Sequence, residues 1–164
     1  MRVGLVSDLH GRFDPRLPKV LAGVERILVA GDIVEPGLLG RLREIASVDA
    51  VRGNNDHGPV LEALPEFLCL DLAGTRVLVA HDRKDRRLPA EIARHAPAVL
   101  VVGHSHKPLV AWEGALLIVN PGSAGPRRFS LPRTAGTMRL APRRPPRVSL
   151  WDLEGDCAYR LTTC

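Results

Sequence analysis

The stretch VLVVGHSHKP, residues 99–108, passes from an apolar run to a polar segment within a few positions. Its first four residues are aliphatic and mostly β-branched, which is typical of a strand buried inside a sheet. Gly103 ends the run, and His104 and His106 follow with one residue between them. A pair of neighbouring histidines is a weak signal for metal binding and fits a surface loop equally well. The rest of the chain has to distinguish these two interpretations.

Similar apolar runs recur along the chain and predict a series of strands. These runs are residues 2–7, 26–30, 48–51, 76–80, 98–102 and 115–119, followed by 136–141, 147–152 and 157–162. Helical patterns lie between several of them, at 36–46, 58–64 and 88–96. The alternation predicts an α/β fold, and the last three runs predict an antiparallel tail. Residues 126–136 and 141–147 are rich in proline and arginine and are predicted to be loops.

Composition places the chain among soluble globular proteins. Its 164 residues are most simply one domain, 1–164, and the hydrophobic share of 45% and charged share of 25% exclude a disordered or fibrous protein. The three cysteines form no C-x-x-C pair or disulfide framework, so we expect a reducing cytoplasm. The early apolar stretch is too short for a signal peptide or a membrane span, so no membrane partner is expected.

The net charge of +5 is concentrated late in the chain. Between Asn120 and Trp151 there are no acidic residues, but arginines occupy positions 127, 128, 133, 139, 143, 144 and 147. This basic segment is either a solvated face or a surface that attracts anions, such as phosphate-bearing substrates or nucleic acid. The aromatic content of only 4% argues against stacking of bases, so nucleic acid is the less favoured partner.

Five predicted strands are each followed by polar side chains that can bind metal. These side chains are Asp8, His10, Asp32, Asn54, Asp56, His81, His104 and His106. Ligands bind open α/β sheets beyond the carboxyl ends of the strands, so residues spread along the sequence can converge there. Mixed nitrogen and oxygen donors without a thiolate suit Mn²⁺, Fe²⁺, Co²⁺, Ni²⁺ or Zn²⁺. The donors exceed what one ion needs, which predicts a pair of ions.

The blocks Asp8-x-His10, Gly31-Asp32, Gly53-Asn54-x-Asp56, His81 and Gly103-His104-x-His106 together resemble the calcineurin-like metallophosphoesterase superfamily. All five stand in the family's order, each behind an apolar run. The small size and the segment NPGSAGPR, residues 120–127, resemble the YfcE-like phosphodiesterase branch. This resemblance implies a four-layer αββα sandwich with mixed sheets and a dinuclear metal site, most often manganese.

The resemblance also implies a role for each ligand. One ion would be held by Asp8, His10 and His106, and the other by Asn54, His81 and His104. Asp32 would bridge the ions, and a hydroxide between them would be the nucleophile. Asp32, Asn54 and Asp56 are the expected catalytic residues, with Asp56 orienting the loop that carries Asn54.

Two positions depart from the family's pattern. Asn55 stands where many members have a histidine that is thought to protonate the leaving oxygen, and an amide cannot act as a general acid. His57 is a weaker candidate for that task. Asp82 follows His81, where glycine is usual. Because Asn55 cannot protonate the leaving oxygen, we expect either substrates with good leaving groups or slow turnover.

The resulting prediction is a metal-dependent phosphoesterase that acts on a small phosphate ester, with diesters favoured. A phosphomonoesterase or a nuclease of the same fold is the alternative among enzymes. A scaffold that keeps the fold without catalysis is the alternative from another class, although a scaffold has no need of seven converging ligands. Four arginines near the motif loops are candidate phosphate clamps or plain surface charges: Arg52, Arg83, Arg127 and Arg128. A homo-oligomer is compatible with the sequence.

Overall fold

Two five-stranded sheets pack face to face in the computed structural model, which describes residues 1–128 and 130–155. The first sheet has the order β10-β9-β1-β2-β3, with β1 (Arg2–Val6), β2 (Arg26–Ala30), β3 (Ser47–Val51), β9 (Thr134–Ala141) and β10 (Arg144–Asp152). The second has the order β4-β5-β6-β8-β7, with β4 (Phe67–Leu72), β5 (Thr75–Ala80), β6 (Val99–Val101), β7 (Leu109–Glu113) and β8 (Leu116–Asn120). Parallel and antiparallel pairs occur in both sheets, so both are mixed.

Helices cover the outer face of each sheet. They are α1 (Leu17–Val20), α2 (Gly37–Arg43), α3 (Pro59–Glu62) and α4 (Leu88–His95). Leu17, Leu42 and Leu61 of the first three helices pack in one core cluster with the outer face of the first sheet. Leu88 of α4 packs in another cluster with the outer face of the second. The expected four-layer αββα sandwich is confirmed. None of the helices in the described part of the chain is long and apolar enough to cross a membrane.

The strand β1 is buried on both faces, which explains its continuous apolar sequence. Val3 and Leu5 lie in the core between the two sheets, whereas Val6 belongs to the cluster beneath the helices. A strand covered on both sides needs apolar residues at every position rather than at alternate ones. The same reason applies to β2, where Leu28 and Val29 lie in different clusters.

The predicted strands up to residue 152 are present, and the antiparallel pairing of β9 and β10 is confirmed. The predicted strand at 157–162 lies outside the described residues. The loop prediction for 126–136 is wrong from Thr134 onward, where β9 begins. The loop prediction for 141–147 is wrong from Arg144 onward, because the ladder shifts register between Arg144 and Arg147 and so accommodates two prolines.

Candidate metal centre

The polar residues predicted from the sequence meet where both sheets present the carboxyl ends of parallel strands. In the first sheet, Asp8 follows β1, Asp32 follows β2 and Asn54 follows β3. In the second sheet, the chain leaves β5 at His81 and reaches two more histidines, His104 and His106, shortly after β6. Five loops therefore bring their side chains to one edge of the sandwich.

Asp8, His10 and His106 form the first cluster of donor atoms. The Nε2 atoms of His10 and His106 are 3.2 Å apart. Oδ1 of Asp8 lies 3.4 Å from Nε2 of His106 and 4.0 Å from Nε2 of His10. Two imidazole nitrogens and one carboxylate oxygen thus face a common point, as the ligands of one ion would.

Asn54, His81 and His104 form the second cluster. Oδ1 of Asn54 lies 3.0 Å from Nε2 of His81 and 2.9 Å from Nδ1 of His104. The two histidine nitrogens are 3.3 Å apart. The structure thus brings together the three residues predicted as the second ligand set, and Asp8, Asp32 and His81 also lie close enough to share an ion.

Asp32 lies between the two clusters and is 2% exposed. Its Oδ2 is 3.6 Å from Nε2 of His10, and its Oδ1 is 3.4 Å from Nε2 of His81. One carboxylate therefore presents one oxygen to each cluster. This is the position that a bridging ligand between two ions requires.

The backbone at the centre is strained. Five of the seven predicted ligands have positive φ: Asp8 (55°), His10 (44°), Asp32 (54°), His104 (64°) and His106 (56°). Residues other than glycine rarely adopt this left-handed conformation, and such strain concentrates at functional sites. The loops are held in these conformations so that the side chains point inward.

Two glycines allow the loops to approach one another. A Cβ on Gly53 would lie 2.2 Å from the backbone nitrogen of Asp32, and a Cβ on Gly103 would lie 2.0 Å from Oγ of Ser7. Neither distance is compatible with a side chain. The glycines of the motifs therefore serve close packing between loops.

Hydrogen bonds outside the two clusters fix the ligands. Nδ1 of His81 lies 2.7 Å from the carbonyl oxygen of Ala30, so Nδ1 carries the proton and Nε2 faces the centre. The side-chain amide of Asn120 donates to the carbonyl oxygen of Gly103, which holds the loop of His104 and His106. Sequence reasoning missed this role of Asn120, whose only signal was the segment NPGSAGPR.

The predicted role of Asp56 fits its contacts. Its buried carboxylate accepts hydrogen bonds of 2.7 Å from the backbone nitrogens of Gly53, Ile33 and Val34. It therefore ties the loop after β3, which carries Asn54, to the loop after β2. These contacts make Asp56 a positioning residue.

Asn55 contacts the central carboxylate. Its side-chain Nδ2 donates to Oδ2 of Asp32 at 2.7 Å, and its backbone nitrogen donates to Oδ1 at 2.9 Å. Sequence reasoning identified Asn55 only by the proton donor that it replaces. Its contacts show that it also orients Asp32.

Charge and burial shape the protonation of the cluster. Burial lowers the pKa of His10 and lowers that of His106 to about 4, and the positive charge of Arg128 acts in the same direction on both. Burial opposes ionisation of Asp32, but the nearby imidazole of His81 and the hydrogen bonds from Asn55 outweigh it and hold the pKa of Asp32 well below its ordinary value. Burial lowers the pKa of His81, but Asp32 and the carbonyl oxygen of Ala30 outweigh it, so the pKa of His81 is raised. Neutral imidazoles beside an ionised carboxylate are the forms that bind a cation.

Asp8 is a buried carboxylate with one oxygen left unsatisfied among the described residues. Burial raises the pKa of Asp8 to about 7. Its Oδ1 is buried without a hydrogen-bond partner among the described residues, and it points toward His10 and His106. An unpaired buried carboxylate oxygen is costly unless a cation neutralises it. The residues of this centre therefore fit divalent metal.

Of the four candidate arginine clamps, Arg128 is the one without a carboxylate partner among the described residues, whereas Arg52, which lines a cavity with Asn54 and His81, is paired. Arg52 pairs with Glu66, Arg83 with Glu113 and Arg127 with Glu154. Arg128 has no carboxylate partner within residues 1–128 and 130–155, and it lines a cavity of about 240 Å³ together with His10, Asp32, Asn55 and His106. A second cavity, of about 430 Å³, adjoins Asn54, His81 and His104 and includes His57.

Comparisons with known proteins identify the family and the fold. Residues 1–142 match the model of the calcineurin-like phosphoesterase superfamily domain. A probable metallophosphoesterase of Methanothermobacter thermautotrophicus is 28% identical over 142 residues, covering 80% of this chain and 82% of that protein. Phosphodiesterase YfcE of Escherichia coli K12 is 28% identical over 167 residues, covering 84% and 87%. The structure of vacuolar protein sorting 29 from Cryptosporidium parvum has a TM-score of 0.83 at 22% identity, covering 99% and 96%, which shows a shared fold.

Proposed function

Because the chain belongs to the calcineurin-like phosphoesterase superfamily, we propose that it is a phosphodiesterase that works with two divalent metal ions, manganese first among them. Asp8, His10 and His106 would hold one ion, Asn54, His81 and His104 the other, and Asp32 both. The ions would activate water as the nucleophile and stabilise negative charge on the phosphate. The substrate would be a small phosphate ester in the cytoplasm.

The position of Asp32 carries this proposal. Its two oxygens lie 3.6 Å from His10 and 3.4 Å from His81, one in each ligand cluster. Two unrelated groups of polar side chains would not require a buried carboxylate shared between them. A pair of cations would require such a carboxylate, because one acidic group then neutralises positive charge on both ions.

Other residues around the centre would bind and orient the substrate. Arg128 offers an unpaired guanidinium on the wall formed by His10 and His106, where it can hold a phosphoryl oxygen with two parallel hydrogen bonds. The neighbouring cavity at Asn54 and His104 has room for one of the two ester groups. Asn55 keeps Asp32 in place but supplies no proton to the departing oxygen.

The missing proton donor favours one alternative, a protein that keeps the fold without catalysis. Asn55 occupies the donor's position, and its amide binds the same Asp32 oxygen that faces His10. Against this alternative, all seven ligands converge and Asp8 keeps an unpaired buried oxygen. A phosphomonoesterase or a nuclease would use the same centre, and the choice of substrate separates them from a phosphodiesterase.

The test is hydrolysis of bis-p-nitrophenyl phosphate by the full chain with Mn²⁺, together with metal analysis. We expect two ions per chain, activity that a chelator removes, and weaker hydrolysis of p-nitrophenyl phosphate. Asp32→Asn should lower kcat/KM at least about tenfold more than Asn54→Ala, a difference of about 1.4 kcal/mol in transition-state stabilisation. The amide serves one ion, whereas the carboxylate serves both.

Each variant must show the circular dichroism of the parent protein for this comparison to count. A single ion per chain in the metal-saturated protein, or equal small losses in Asp32→Asn and Asn54→Ala, would contradict a bridging role. Two bound ions without hydrolysis of any ester would favour the non-catalytic alternative.

A further inference from the structure

A basic cavity lies at the end of the first sheet that is remote from the metal centre. It measures about 680 Å³ and is lined by Arg2, Arg139, Arg144 and Arg147, with Glu25 as the one acidic residue on its wall among the described residues. Arg2 is the first residue of β1, whereas Asp8 of the metal centre follows the last. The cavity and the metal centre are therefore separated by the length of that strand.

The strand register places three of these arginines in a row. Arg2 is paired with Arg139, and Arg139 is paired with Arg147, across β1, β9 and β10. Directly paired residues lie on the same face of a sheet, and neighbouring strands are about 4.8 Å apart. The next residues along the strands, Val3, Met138 and Val148, lie in the core between the sheets. The arginine row is therefore on the outer face.

The positive charges of the row are not neutralised within the described residues. Arg139, Arg144 and Arg147 are exposed and form no ion pair there. The guanidinium of Arg2 donates to the carbonyl oxygen of Ala22 at 2.7 Å, and the carboxylate of Glu25 accepts a hydrogen bond from the backbone nitrogen of Arg2. Like charges directly opposite each other in neighbouring strands are destabilising. An anion bound in the cavity would remove that repulsion.

We propose that this cavity binds a small anion that carries several phosphate groups. Several guanidinium groups around one concavity match several negative charges, and each guanidinium can hold phosphate oxygens with paired hydrogen bonds. The volume is in the range of small-molecule sites. The described lining contains no aromatic ring on which a base could stack, so an oligonucleotide fits less well than a compact polyphosphate. This site is independent of the metal centre and of the reaction proposed for it.

Titration calorimetry of the full chain with inorganic triphosphate tests the site. The double variant Arg139→Gln/Arg147→Gln should bind triphosphate at least about tenfold more weakly than the parent, since each charge-assisted hydrogen bond contributes about that factor. The matched control is Arg43→Gln/Arg94→Gln, which removes two exposed helix arginines elsewhere on the surface. This control and Asp32→Asn should both retain the binding. The arginine-row variant, Arg139→Gln/Arg147→Gln, should hydrolyse bis-p-nitrophenyl phosphate as the parent does.

The free energy of unfolding, measured with and without triphosphate, distinguishes anion binding by the arginines from a purely structural role. Without ligand, the arginine-row variant should be more stable than the parent, because repulsion across the strands is relieved. With saturating triphosphate, the order should reverse. Equal triphosphate affinity in the arginine-row variant and the control would overturn the proposal. So would equal affinity for inorganic phosphate and triphosphate, or binding of a single-stranded oligonucleotide through Arg139 and Arg147 without binding of triphosphate.

Discussion

Backbone strain at the ligand residues separates this centre from a chance group of polar side chains. Five of the proposed ligands adopt positive φ, at a cost of about 1–3 kcal/mol each. The residue types and their spacing predicted that Asp8, His10, Asp32 and the later histidines would converge. The residue types, Asp and His, are enriched at positive φ among residues other than glycine, but this tendency is too weak to predict the conformation at a given position. That conformation is set by contacts between loops that are far apart in the chain.

Asn55→His tests the account of the leaving group. The side chain at this position lines the cavity that holds His10, Asp32 and Arg128. A histidine there can donate a proton, and general acid catalysis contributes about 10²–10⁴ in rate. We expect the variant to accelerate hydrolysis of diesters with alkoxide leaving groups much more than that of bis-p-nitrophenyl phosphate, measured as kcat/KM with Mn²⁺.

The control for this substitution is Asn55→Ala. It removes the amide that binds Asp32 without adding an acid, so it should lower both rates and leave their ratio unchanged. If Asn55→His changes both rates by the same factor, then proton transfer to the leaving group does not depend on this position.

Asp8→Asn tests whether a buried carboxylate with one unpaired oxygen destabilises the metal-free protein. Burial raises the pKa of Asp8 from 3.8 to about 7, so between these values the folded state holds a proton that the unfolded state has lost. The contribution of Asp8 to the free energy of unfolding therefore falls as the pH rises through this window. The amide does not titrate, so the variant's advantage over the parent should be small near pH 4 and grow to about 2–4 kcal/mol near pH 8.

Chemical denaturation in the presence of a chelator measures this difference. Burial lowers the pKa of His106 to about 4, so its contribution to the free energy of unfolding rises with pH, opposite to that of Asp8. Because His106 is present in both proteins, this contribution cancels in the difference between variant and parent. A difference that stays constant from pH 4 to pH 8 would mean that Asp8 is not protonated in the folded metal-free protein. With Mn²⁺ present, the parent should have a larger free energy of unfolding than Asp8→Asn, because its carboxylate binds the ion more strongly than the amide does.

At the scale of elements, the strands that sequence reasoning missed are both edge strands. β4 and β7 each pair with a single neighbour in the second sheet, and their residues are only partly buried. Both strands do carry short apolar runs, Phe67–Leu70 in β4 and Leu109–Trp112 in β7, and these runs were not identified as strands. The four-residue helix α1 was also missed, although α3 of the same length was predicted within 58–64.

The hairpin between β9 and β10 contains a strained residue whose replacement should stabilise the protein. Ala141 pairs with Arg144, so Pro142 and Arg143 are the two central residues of the turn, and Arg143 has φ of 59°. Proline followed by a residue at positive φ is typical of a type II turn, which favours glycine at the second position. Relief of left-handed strain exceeds the entropy cost of glycine, so Arg143→Gly should raise the free energy of unfolding by about 0.5–1 kcal/mol.

Urea denaturation of Arg143→Gly and Arg143→Ala separates strain from charge. The alanine variant removes the same positive charge but keeps a Cβ at positive φ, so it should show no such gain. An equal gain in both variants would mean that loss of charge near Arg144, rather than relief of strain, stabilises the hairpin.

At the scale of the whole molecule, the centre joins the two sheets. Asp8, Asp32 and Asn54 come from loops of the first sheet, and the three ligand histidines beyond residue 80 come from loops of the second. The sequence could predict this convergence because parallel strands present their carboxyl ends together. It could not predict which helices cover the outer face of each sheet, or that Arg128 alone among the four candidate clamps would remain unpaired within the described residues. Those outcomes depend on packing between distant segments.

The proposed metal centre spans both sheets, so ions bound there should stabilise the whole fold. Ions bound only by the folded chain raise the free energy of unfolding by about 2.7 kcal/mol when their concentration is a hundred times the dissociation constant. We expect the midpoint of thermal unfolding to rise with Mn²⁺ concentration in the parent protein and in the exposed-surface variant Arg94→Gln. Asp32→Asn, which lacks the carboxylate shared by both clusters, should lose most of that dependence. A midpoint in the parent that is the same with Mn²⁺ and with a chelator would show that no ion links the sheets, even if all seven side chains remain in place.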